Sequence, residues 1–297
     1  MGYEWWAEQV TARTGGAVKF EHFYNEALGG AKTAPEDMRA GLYDLAVLQP
    51  PWYAAKLPMI MIGFLPAVTT DEVVLGKAMS DLVTQVPEFE SDFFSNRLKL
   101  LAFYGSPSAE YMGTKPIKSV ADINGLKIRA SGDLAKIMDK LGATIVSMPS
   151  PESYEAIQRG TIDGAFLTYP ASFGSYSIHE VAQYATIIGA GPVAIPIVMG
   201  LNTFNLMEPR VQAIMLEEAA RMPEKYVEIF KAEDAKWLAA FEEAGIEITE
   251  FTAAQKAEVR SNAQERWEAW VENIEGKGMP GQRMLDTLLA AVEKYSN

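Results

Sequence analysis

The 297-residue sequence contains no cysteine. That absence removes thiolate nucleophiles, disulfides and cysteine metal sites together, and leaves both a reducing cytosol and a disulfide-independent periplasm open as compartments. Histidine is nearly missing as well. His22 and His179 are far apart and lack the H-x-x-x-H or carboxylate spacing of a metal site, so no metal is expected. Positive charge is scarce: 26 Lys+Arg against 39 Asp+Glu give a net charge of −13, which argues against nucleic acid as a partner because a phosphate backbone needs a basic face. No apolar run is long enough for a membrane span; the longest, Leu57 to Val68, is interrupted by Pro58 and Pro66. The N-terminus lacks the basic start and apolar core of a signal peptide, so either the protein is not exported or its leader is missing from this chain.

Catalytic motifs are equally scarce. Gly76-Lys77 is followed by Ala78, so the phosphate-binding G-K-[ST] ending is missing, and Gly276 to Gly281 has no strand before it. "GAGP" at Gly189 to Pro192 is not followed by a helix. Ser106 and Ser108 lack the G-x-S-x-G elbow of a nucleophilic serine. The acidic pairs Glu217-Glu218 and Glu242-Glu243 read as solvated helix faces, and Trp267 and Trp270 as packing anchors of one helix. No catalytic residue and no cofactor emerge, and the chain is not expected to be an enzyme.

What is present is the composition of a globular protein, 48% hydrophobic and 22% charged, long enough for two lobes. Apolar periodicity gives a helix over Tyr3 to Thr14 stopped by Gly15-Gly16, then a strand in "AVKFEHFY". A short helix ended by Gly41 precedes a strand over Leu45 to Leu48. A helix from about Asp71 to Glu90 and a strand over Leu98 to Tyr104 follow. After Gly105 come a strand at "LKIR", a helix, a strand over Thr144 to Ser147, a helix over Pro151 to Arg159 and a strand over Gly164 to Leu167. Such α/β alternation predicts mostly parallel sheets. Glu208 to Gly245 is helix-forming apart from Pro223, which predicts a kinked rod of ~35 residues, ~50 Å long, able to bridge two lobes. "IEITEF" reads as a strand, and Ala253 to Glu275 and Met284 to Tyr295 as closing helices.

Polar and aromatic residues gather just beyond the carboxyl ends of these strands: Gln49 and Trp52, Tyr104, Arg129, and Phe166, Thr168 and Tyr169. Ligands of open α/β sheets bind at such ends, so these residues are expected to line an inter-lobe cleft.

The stretch "VADINGLKIRASGDLAKIMDKLGATIVSMPSPESYEAIQRGTIDGA" resembles the substrate-binding proteins of tripartite ATP-independent periplasmic (TRAP) transporters, in which D-[LI]-x-G-L-K-I-R is followed by L-G-A and then E-x-Y-x-A-[LI]-x-x-G-x-[IV]-D-G. "AGLYDLAV" and "IVMGLNTFNLMEPRVQAIMLEEA" agree with it. The resemblance implies an α/β, two-lobed periplasmic-binding-protein fold with hinge strands and a long helix spanning both lobes. Mapped here, lobe I is 1–103 completed by about 198–235, lobe II is 104–197 completed by about 245–297, and the spanning helix is 208–244. Lobe I would lack its first strand. The resemblance also implies a periplasmic monomer that captures a small carboxylate and delivers it to TRAP membrane permease subunits. Arg129 falls on the family's carboxylate-clamping arginine, and Tyr154 and Asp163 fall on positions of local structural use. Gly200 stands where many members have asparagine after a methionine, and joins the candidate ligand-binding set. Phe166-Leu167 replaces a polar Glu-Asn pair, which favours a ligand with an apolar or aromatic body over a sugar acid. Two other readings are a carboxylate-sensing domain of a signalling protein and an enzyme acting on a small acid.

Overall fold

The computed structural model describes residues 2–24, 27–30 and 32–296. Among them lie the strands β1 (Leu45–Val47), β2 (Leu98–Ser106), β3 (Glu110–Gly113), β4 (Lys127–Arg129), β5 (Thr144–Ile145), β6 (Gly164–Leu167), β7 (Tyr184–Ile187), β8 (Val193–Gly200) and β9 (Glu247–Glu250). They form two sheets, ordered β1-β8-β2 and β5-β4-β6-β3-β7-β9. The chain passes from the first sheet to the second between β2 and β3, and returns between β7 and β8. The returning strand β8 is antiparallel to both β1 and β2. The first sheet is therefore antiparallel, not parallel as alternation predicted. In the second, β5-β4, β4-β6 and β7-β9 are parallel, and β3 is antiparallel to both its neighbours.

β2 reads as a continuous apolar run because both of its faces are covered. Leu98, Leu100 and Phe103 belong to one core with Met79 and Leu82 of the helix Glu72–Gln85. Leu101 and Ala102 belong to another with Trp6 and Met215, and an irregularity between Leu100 and Ala102 turns the side chains over. The expected single helix over Asp71 to Glu90 is two, Glu72–Gln85 and Pro87–Ser95. Pro87 has no N–H to continue the ladder and pushes Val86 out of the helical region, to φ −125° and ψ 81°. Asp71 caps the first helix by accepting from the N–H groups of Val73 and Val74.

The rod predicted over 208–244 is likewise divided, into Pro209–Ala220 and Met222–Glu243. Pro223 sits in the first turn of the second piece, where its missing N–H breaks no bond. That helix joins the two halves. Met222 and Tyr226 pack with Trp6 and Met215 beside the first sheet, and Trp237 and Phe241 pack with Tyr169 and Phe173 beside the second. The strand expected in "AVKFEHFY" does not form: over Ala17 to Tyr24 the described backbone carries no strand pairing. Its alternation is explained by packing alone, since Phe20 lies 5.0 Å from the Trp6 ring.

Two features rest on contacts between distant segments. The C-terminal helix Gly281–Ser296 packs along Glu72–Gln85, with Lys294 Nζ 2.8 Å from Asp81. Glu218, expected on a solvated face, is 1% exposed and holds Arg13 at 2.7 Å and Arg221 at 2.8 Å. The Arg13 pair fastens the first helix, Gly2–Arg13, to Pro209–Ala220. The tryptophan anchors are buried as expected, with Trp267 Nε1 donating to the Pro66 carbonyl at 2.9 Å. No helix of the described residues is long and apolar enough to cross a membrane.

Candidate functional site

β4 carries Arg129 to the rim of the second sheet at the carboxyl ends of β4 and β6, with Leu126 and Ile128 buried and Lys127 exposed. The strand then stops at Ala130-Ser131. Gly132 takes φ +62°, and a Cβ built there meets nothing within 4 Å. The turn uses a backbone conformation that suits glycine, opening at once into the helix Gly132–Lys140. Parallel pairing of β4 with β6 sets Arg129 opposite Ala165, so the residues after β6 emerge at the same edge.

The Arg129 guanidinium is half-buried and held on three sides. Nε donates to the Met148 carbonyl at 3.3 Å, one terminal nitrogen to the Phe166 carbonyl at 3.1 Å, and the other to Ser150 Oγ at 2.9 Å. Three of five N–H groups are engaged, leaving one on each terminal nitrogen. A planar guanidinium with donors left on both terminal nitrogens is chemically suited to the two oxygens of a carboxylate. Burial pushes the guanidinium's pKa down and Tyr176 opposes the shift. No acidic side chain among the described residues acts on it. A guanidinium stays protonated in a protein, so this is a charge held by neutral acceptors with its fork unmatched by an anion.

The other expected residues divide into three groups. Gln49 and Trp52 lie just past β1, both exposed, and Tyr104 lies near the carboxyl end of β2. β1 and β2 run the same way on either side of β8, with Val47 opposite Ile197 and Tyr104 opposite Ile195, so these three share one edge of the first sheet. One face of the Tyr104 ring is occupied by Tyr226, stacked at 4.2 Å and 4°.

Thr168 is half-buried beside Arg129's edge, whereas the side chains of Phe166 and Tyr169 are not at a surface. Phe166 is 2% exposed and packs on Tyr111 at 5.7 Å; Tyr169 is 8% exposed and meets Phe241 edge-on at 4.9 Å. Alternation along β6 turns the Phe166 ring into the core, so it bears on Arg129 through its backbone carbonyl.

Gly200 falls outside the set. Because β8 is antiparallel, its carboxyl end pairs with Leu98 at the start of β2. Five residues and ~16 Å of strand separate Gly200 from the partner of Tyr104. Sequence reasoning missed Ser150 and Tyr176. "SPE" reads as helix punctuation, and Tyr176 follows a six-residue π-helical turn, Pro170–Ser175, that has no apolar period. Asp163 has the local role expected: its carboxylate accepts from Lys127 N at 2.8 Å and pairs with Lys115 at 2.9 Å. Tyr154 donates to Glu180 at 3.1 Å.

A second unusual group lies where the chain passes between the sheets. Glu110, 5% exposed, accepts from Ile188 N at 2.8 Å. Burial pushes its carboxyl up to about 7. A raised carboxyl pKa means that the folded chain holds a proton the unfolded chain has released, so stability falls as pH rises from the unfolded value of about 4.5 through 7. A shift of this size corresponds to roughly 3 kcal/mol. Chemical denaturation across pH 4.5 to 8 should show that fall in the parent and a flatter profile in Glu110→Gln.

The sequence profile described as "bacterial extracellular solute-binding protein, family 7" matches residues 2–273. A solute-binding protein of Albidiferax ferrireducens is 26% identical over 251 residues, covering 83% of this chain and 73% of that protein. The crystal structure of a TRAP periplasmic solute-binding protein from Desulfovibrio salexigens superposes with a TM-score of 0.90 at 25% identity, covering 99% of this chain and 91% of that one. A TRAP solute-binding protein from Rhodoferax ferrireducens in complex with copurified benzoate gives 0.80 at 24% identity, with coverages of 99% and 92%.

Proposed function

The chain belongs to family 7 of the bacterial extracellular solute-binding proteins, and from that premise we propose that it captures a small monocarboxylate with an apolar or aromatic body and hands it to a TRAP-type membrane permease. The observation that carries the reading is Arg129: a half-buried, fixed guanidinium at a strand end, with two N–H groups free and no acidic partner among the described residues. A bidentate carboxylate completes it.

The net charge of −13 does not oppose this. A single opposite charge at about 4 Å and an effective dielectric near 20 gives ~4 kcal/mol, whereas exposed charges beyond the ~8 Å Debye length are largely screened. Ser150 and the two carbonyls orient the clamp. Trp52, Gln49 and Tyr104 supply the opposing wall from the first sheet, and Thr168 and Tyr176 border the clamp on the second. We place the lobe division at the two crossings, with Met222–Glu243 as the spanning helix. Closure is a hinge motion that the ligand drives by touching both lobes.

A thermal-shift panel tests the reading. Benzoate and its hydroxylated relatives should raise the Tm, by an amount equal to about 2.7 kcal/mol at a hundredfold excess over Kd. D-glucuronate should raise it less, because its several hydroxyls require more polar partners than Gln49, Thr168 and Tyr176 supply. Stabilisation by glucuronate alone would replace the aromatic body with a sugar acid. A panel in which no carboxylate stabilises the protein would remove the capture function.

A further inference from the structure

Between the last pair of one sheet, Ser106 with Val193, and the pairs that resume in the other at Tyr111 with Thr186, two segments cross side by side without ladder pairing, 107–109 and 188–192. These are the two strand connections about which the lobes rotate if the protein closes on a solute. Gly191 has φ +88°, and a Cβ there would stand 2.5 Å from the Thr69 carbonyl. Glu110 begins β3 at the edge of this gap. Its carboxylate continues the ladder where backbone pairing ends, accepting the Ile188 N–H at 2.8 Å, with the Gly189 N–H and the Ser108 hydroxyl beside it.

We infer that Glu110 is a positioning residue of the hinge: its carboxylate clasps the two crossing segments together, and gain or loss of its proton sets how freely the lobes close on a ligand. The inference rests on the solute-binding reading above. A carboxylate that is fully buried, with its pKa pushed up to about 7, changes charge within the ordinary range of pH. The charged group that acts on it is Lys256, on the helix Ala253–Glu275. Lys256 is itself paired with Glu250 of β9 at 2.6 Å, so its attraction is shared and does not hold Glu110 ionised. Ionised, Glu110 makes charge-assisted bonds to backbone N–H groups across the gap. Protonated, it loses half of its accepting capacity and the clasp weakens.

The absence of native cysteine allows a direct test. Glu8→Cys on the helix Gly2–Arg13 and Gln158→Cys on the helix Ser153–Gln158, both exposed, accept spin labels on the two lobes. The interlobe distance distribution of the ligand-free protein, measured by pulsed electron resonance, should be narrow at pH 8 and broaden at pH 6. In Glu110→Gln it should be the same at both values. Glu110→Asp, whose shorter side chain falls short of Ile188, should be broad at both. Benzoate affinity of the parent should be about threefold higher at pH 6 than at pH 8, and pH-independent in Glu110→Gln. A parent distribution that ignores pH, or a pH response that survives unchanged in Glu110→Gln, would overturn the inference. Failure of benzoate to bind at either pH counts against the proposed ligand class and leaves the ligand-free distance measurement to decide the hinge.

Discussion

Arg129→Ala should bind the acid that best stabilises the parent roughly thirty- to several-thousandfold more weakly, equivalent to ~2–5 kcal/mol. The loss is large because the side chain supplies a charge, a planar fork and a fixed direction together. Arg129→Lys should recover only a minor part, since an ammonium keeps the charge without the two parallel donors. Ser150→Ala frees one terminal nitrogen but leaves the Met148 and Phe166 carbonyls engaged, and should cost less than Arg129→Ala. Isothermal titration of the three variants, with circular dichroism to confirm folding, orders them. Parent-like affinity in Arg129→Ala would remove the clamp from the site.

The largest effect on stability is expected from the double variant Arg13→Ala/Arg221→Ala. Glu218 is the buried member of its triad, with a side chain 2% exposed against 41% for Arg13 and 60% for Arg221. Removing both arginines strands a carboxylate out of water, which costs about 3–5 kcal/mol. Each single variant leaves one partner in place and should cost much less. Glu218→Met should also be mild, because the exposed arginines it releases are solvated. Urea denaturation of the four proteins measures this ordering. A double variant as stable as the parent would mean that the carboxylate is not held out of water by its surroundings.

The two results bear on how much of the protein could be read from its sequence. The Arg129 neighbourhood was legible because the signals there are local: an apolar strand ending on a guanidinium, a glycine at the turn and a helix start. The same is true of β6 and of the helix Ala253–Glu275, whose limits agree with their apolar periods, and of Gly41, which ends its helix at φ 78°. Glu218 was not legible. On one helix it looks like a solvated acid, and only the arrival of Arg13, more than two hundred residues away in sequence, makes it a buried one. Phe166 shows a related limit. It lies in β6 near the strand end, and the face it presents depends on which side the Tyr111 core occupies.

Gly200 gives the sharpest division. The sequence determines by itself that the chain is an α/β protein with little catalytic equipment, and that an arginine closes the strand "LKIR" just before a turn and a helix. The tertiary structure alone decides that β8 runs antiparallel, which carries Gly200 to the far end of the first sheet and brings Tyr104, Gln49 and Trp52 to the near one. It also decides that Glu110 meets Ile188 across the hinge. Periodicity, caps and turns come from contacts within a few residues, whereas strand direction, the face turned to a core and the partner of a buried charge are set by which distant surfaces must leave water together.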